Sequence, residues 1–280
     1  MTLESHSPES CVHTRSSIWR MFRDAADEDY LVARSAVKLG LIHQFCWSSQ
    51  QCLEKYIKAI LLLNSKPIVA SHSLISMWDS CCEICGDLLP SILYPIREFQ
   101  WERARHVRRV FEKSEDYLAR VEDYGNANIR YRVYSIHVPL YDLNKLDQLC
   151  FALRRVAFPL DMQIPELDGT ARDYLTHHRS IQIHPTMGFD KQAKHGENAG
   201  RNEIFRWRNF AYFYDEALAA NEIQTGGGGS INAEPFMCLQ RGEDGFRTLE
   251  WLAQNAFPKG VAKSIFQEIL ARRHGKQEER

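Results

Sequence analysis

A chain of 280 residues, 44% apolar and 25% charged, can bury a sizeable core and has the composition of an ordinary globular protein. Lys plus Arg at 35 nearly cancel Asp plus Glu at 36, so any nucleic-acid surface must be local rather than spread over the molecule. No window approaches the roughly 18 uninterrupted apolar residues of a membrane-spanning helix, and eight cysteines are too sparse for a disulfide scaffold.

In chain order, residues 1–16 read as a disordered polar tail without the basic patch and apolar run of a secretory signal. Trp19, Phe22, Ala26, Ala33 and Val37 recur at helical intervals, which predicts a first helix over Ile18–Leu39 with acid on its early turns and Gly40 as its stop. A second helix is predicted over Phe45–Asn64. Phe45, Ser49, Cys52, Tyr56, Ala59 and Leu63 form its inner stripe, while Gln50, Gln51, Glu54, Lys55 and Lys58 share the other side. Ser71 or Ser73 can cap a third helix reaching about Gly86. The fourth, Ile96–Asp123, is the longest by pattern, with Trp101, Ala104, Val107, Phe111, Tyr117, Leu118 and Val121 at threes and fours. Asn126–Pro139 has no helical period and reads as a loop or short extended segment. Tyr141–Phe158 returns to helix, with Leu143, Leu146, Leu149, Cys150, Leu153 and Val156 inward. The fold class expected over 17–158 is therefore an all-α, up-and-down bundle.

Past Phe158 the pattern weakens, and Pro159, Pro165, Gly169 and Pro185 punctuate the chain. Residues 159–272 are read as a mostly helical C-terminal extension, with helices over Arg201–Ile223, Thr248–Phe257 and Lys259–Arg272 and a frayed tail at 273–280. Gly226–Ser230 reads as a flexible spacer inside it. Leu160, Ile164, Leu167 and Tyr174 give the segment after Phe158 an apolar side too thin for its own core, so it should pack on the bundle.

The order Gln50-Gln51-x-x-Glu54-Lys55-x-x-Lys58-Ala59, followed after a short loop by Ser71-His72-Ser73-Leu74, resembles the second helix and turn of HEPN domains. Asp29-Tyr30-x-x-Ala33-Arg34 is similar to their first helix. The resemblance covers about residues 17–158 and leaves 159–280 unrecognised. It implies a HEPN-like bundle from a family rich in metal-independent ribonucleases and toxins, working as homodimers whose paired motifs face one cleft. It implies no cofactor and no metal. RNA or a nucleotide, and a protein antitoxin or regulator, are the partners it suggests.

Metal-free RNA cleavage requires a base for the 2′-hydroxyl, an acid for the leaving 5′-oxygen and a cation for the phosphorane. Histidine and arginine supply these. In the family an arginine precedes a histidine by a short gap. Five pairs in this chain fall at such spacings, among them Arg130 and Arg132 with His137, and Arg172 with His177, so spacing alone does not choose. The resemblance places the motif in the loop before the last bundle helix, where Arg130, Arg132 and His137 lie. Arg130-Tyr131 there is also similar to the Arg-Tyr-Pro signature of non-ribonuclease members, with Arg132 in place of the proline. Arg172-Asp173-x-x-x-His177 stands as a second candidate site.

Lys55 and the fourth-helix arginines Arg105 and Arg109 are candidate phosphate contacts. Cys81-Cys82-x-x-Cys85 lacks the second pair of ligands a structural zinc needs and reads as core thiols. No Walker A, dinucleotide-binding or metalloprotease motif occurs. The expectation is a cytoplasmic, HEPN-type endoribonuclease, a toxin or defence effector. The alternative is a non-catalytic HEPN module that binds a nucleotide, RNA or a protein.

Overall fold

In a computed structural model, residues 15, 17–68, 73–94, 111–126, 135–139, 142–164, 169–177, 229–231, 248 and 267 are described. The first helix opens with a π-helical segment, Trp19–Asp24, that runs uncapped into α1, Ala25–Lys38. Gly40 stops it at φ +71°: its amide donates to Val37 and that of Leu41 to Ala36, which closes a Schellman turn. The chain then reverses into α2, Ile42–Leu63, which ends in the same way with Ser65 at φ +59°. α1 and α2 pack along their lengths as an antiparallel pair.

Helix α3, Leu74–Cys85, starts at Ser73, whose Oγ accepts from the Ser76 amide. The Glu122 carboxylate reaches over from the helix at Ser114–Tyr124 and accepts from the Leu74 amide at 2.6 Å, so two acceptors satisfy one helix end. After a 3₁₀ turn at Gly86–Leu88, β1 (Ile92–Leu93) pairs antiparallel with β2 (Glu112–Lys113).

This pairing corrects the expected long fourth helix. Helix α4 is only Ser114–Tyr124, because Glu112 and Lys113 are extended and Ser114 is tied to the turn at residues 90–91 through both its amide and its hydroxyl. Leu93 is fully buried and anchors the strand pair. Residues 96–110 of the expected helix, with Arg105 and Arg109, lie outside the described residues.

Strand β3, Ile136–Val138, occupies the predicted irregular segment and leads to α5, Asp142–Val156, the expected last bundle helix. Its partner comes from the far half of the chain. β6, Gly229–Ile231, runs antiparallel to β3 with Ser230 opposite His137 and Gly229 opposite Val138. The end of the glycine-rich stretch is therefore a strand rather than a free spacer. Glycine at 229 carries no Cβ, which lets backbone come close.

The core also continues beyond Phe158. Phe158 stacks on Trp19 at 5.8 Å, and the Asn64 side chain donates to the Phe158 carbonyl and accepts from the Leu160 amide. A short hairpin, β4 (Gln163–Ile164) and β5 (Gly169–Thr170), delivers α6, Ala171–His177, with Thr170 and Asp173 capping each other. Leu160 and Leu175 belong to the same buried cluster as Tyr30, Phe45, Leu53 and Leu118. The expected helices at 201–223, 248–257 and 259–272 fall on residues that are, apart from 248 and 267, outside the described set.

Candidate functional site

Ile136 and Val138 are buried and His137 between them is exposed, so the alternation of a strand turns the imidazole outward. Five positions after His137, the Asp142 amide donates to the Pro139 carbonyl and α5 begins. That junction is held by charge. Arg120 of α4 grips the nearly inaccessible Asp142 carboxylate with two bonds of 2.8 Å, and the same guanidinium binds Glu112 of β2 at 2.8 Å. Lys145, buried on α5, donates to Glu112 at 2.5 Å. Burial pushes the Glu112 carboxyl up, but the hydrogen bonds and charges of Arg120 and Lys145 outweigh it and hold it below the ordinary value. Two cations and two carboxylates neutralise one another here. The quartet joins β2, α4 and the start of α5, and with it the junction that follows His137.

Of the remaining predicted site residues, the described ones lie on α2 and α6. Arg130 and Arg132 lie outside the described residues, as do Arg105 and Arg109. Lys55 projects from α2 onto Asp29 of α1, at 2.5 Å and partly open to solvent. Arg172 begins α6 and donates to the Ile84 carbonyl near the end of α3 at 2.7 Å, so it ties two elements together. His177 ends α6 on the surface. Among the described residues, no group of three or more His, Cys, Asp or Glu side chains is placed to hold a metal ion.

Residues 19–131 match the family model of the HEPN domain. This segment is similar to HEPN domains. The match runs from the π-helical opening through α4 and takes in Arg130 and Tyr131, ending just before β3. HEPN domains include ribonuclease effectors and non-catalytic modules. No curated protein and no solved structure matches the chain.

Inside the helical bundle lies a polar layer that periodicity does not reveal. Asp27, Tyr30 and Arg34 follow one face of α1, and Asp147, Cys150 and Arg154 one face of α5, both at helical spacing. The Asp147 carboxylate accepts from Tyr30 Oη at 2.6 Å and from Arg34, all three inaccessible to solvent. One turn away, Asp27 accepts from Tyr56 and, at 3.1 Å, from Arg154 Nε. Cys52 and Cys150 lie between the two clusters with their sulfurs 3.4 Å apart. Burial raises the Tyr30, Tyr56, Cys52 and Cys150 groups, so the phenols stay donors and the thiols stay protonated rather than nucleophilic. Burial opposes the Arg34 charge, but Asp147 and Tyr30 more than offset it. The layer specifies how α1, α2 and α5 meet. A sequence signal for it existed in the charged residues falling on the inner stripe of α1.

Proposed function

We propose that the protein is a metal-independent endoribonuclease with His137 as its acid–base residue and Arg130 and Arg132 as its phosphate contacts. The observation that carries this reading is the placement of His137. It stands exposed on a strand whose two neighbours are buried, at the entrance to the last bundle helix and just past the HEPN match. In the reaction a histidine takes the proton of a ribose 2′-hydroxyl as its oxygen bonds to phosphorus. The bond from phosphorus to the 5′-oxygen breaks, and that oxygen receives a proton from an acid. An arginine fork neutralises the phosphorane oxygens. With a single imidazole on β3, a homodimer would let base and acid come from two chains. A toxin or defence role with a protein regulator, in a reducing cytoplasm, fits a small self-contained cleavage activity and the six thiols left unpaired among the described residues.

Incubating the purified protein with RNA in chelator tests this. Fragments ending in a 2′,3′-cyclic phosphate are expected, and His137→Ala should cut at least about 100-fold more slowly, the lower bound for losing a general acid–base group. Equal cutting by His137→Ala sinks the assignment. A second reading, a non-catalytic HEPN module that binds a nucleotide, RNA or a protein, is favoured by Arg130-Tyr131. Absence of cleavage together with calorimetric binding of a nucleotide or short RNA, lost in Arg130→Ala, would establish it.

A further inference from the structure

β3 is three residues long, and among the described residues its one sheet partner is β6. A three-residue strand does not hold its own geometry. Its amides and carbonyls need partners where Ile136 and Val138 are buried, and isolated two-stranded pairings are marginal unless packed. β6 provides the pairing and lies against α2 as well, so the ribbon is pinned to the bundle. The register matters because a slip of one residue exchanges the two faces of a strand. With Ser230 opposite His137, Ile136 and Val138 keep the buried face and the imidazole keeps the open one. We infer that the second half of the chain completes the candidate site by donating β6, which fixes β3 and makes the backbone of residues 229–231 a positioning element for His137.

The inference rests on the ribonuclease reading for its catalytic consequence but not for its structural one. It is tested in the full-length protein. Successive amides of a strand point to opposite edges, so Ser230→Pro combined with Ile231→Pro removes at least one donor facing β3 whichever edge each residue presents. Ser230→Val keeps the amide and favours a strand. Hydrogen exchange at 136–138 should accelerate at least tenfold in the proline variant and stay unchanged in Ser230→Val. The His137 imidazole resonance, identified by its loss in His137→Gln, should move in the proline variant. With an active parent, kcat should fall at least tenfold in the proline variant at unchanged KM and melting temperature. Unchanged exchange or an unmoved imidazole resonance in the proline variant overturns the inference, as does unchanged kcat with an active parent. If the parent does not cut RNA, the ribonuclease reading fails by itself, and the exchange and resonance measurements still decide the role of β6.

Discussion

Replacing Asp147 with alanine removes the acceptor around which the inner polar layer is built. The carboxylate is fully buried, and its loss leaves the Arg34 guanidinium and the Tyr30 hydroxyl without it in the same dry space. Arginine cannot escape by losing its proton, as a buried lysine does, so the charge stays. Breaking a buried pair from one side costs roughly 3–5 kcal/mol. For a folded unit of about 150–250 residues each kcal/mol moves the melting temperature by about 2–4 °C, so a fall on the order of 10 °C is expected. Thermal and urea melts followed by circular dichroism measure it. The decisive comparison is Tyr30→Phe with Arg34→Met and Asp147→Leu. Exchanging the three together for apolar side chains of similar size removes the donors along with their acceptor, and it should recover most of the loss. A single Asp147→Ala costing under about 1 kcal/mol, the range of a surface substitution, would refute the reasoning. So would a triple variant no more stable than the single one.

Three further outcomes are expected. Glu112 has its carboxyl held below the ordinary value in the folded state, so it contributes stability above the unfolded-state value near 4.5 that is lost as pH falls through its folded value. Glu112→Gln should therefore be less stable at neutral pH and show a shallower acid transition in melts between pH 2 and about 6, and an identical acid profile would count against the quartet. At Gly125 an added Cβ would stand 2.3 Å from Gln50 Cβ on α2, too near the backbone to swing aside, so Gly125→Ala should destabilise by about 1–3 kcal/mol in urea unfolding. Ser65 sits in the left-handed region at φ +59°, and Ser65→Gly should stabilise by up to about 1 kcal/mol, measured in the same way.

Helices α1, α2, α3 and α5 were legible in the sequence to within a few residues, together with the Gly40 stop and the Ser73 cap, and so was the HEPN character of the first half. Each of these depends on residues close together along the chain. A helix bonds residue to residue four apart, and its buried stripe repeats with the same short period. The break before α4 was not legible, because Glu112 leaves the helical pattern for partners at Leu93, Arg120 and Lys145. Nor was the use of Lys55 on Asp29 or of Arg172 on the Ile84 carbonyl, since a charged side chain carries no mark of its partner. The placement of His137 was half legible: its position before the last helix came from the family pattern, while its outward face and its pairing with Ser230 came from the fold. Strand pairing and ion pairing join residues that chain order keeps far apart, and only the closed structure selects which of them meet.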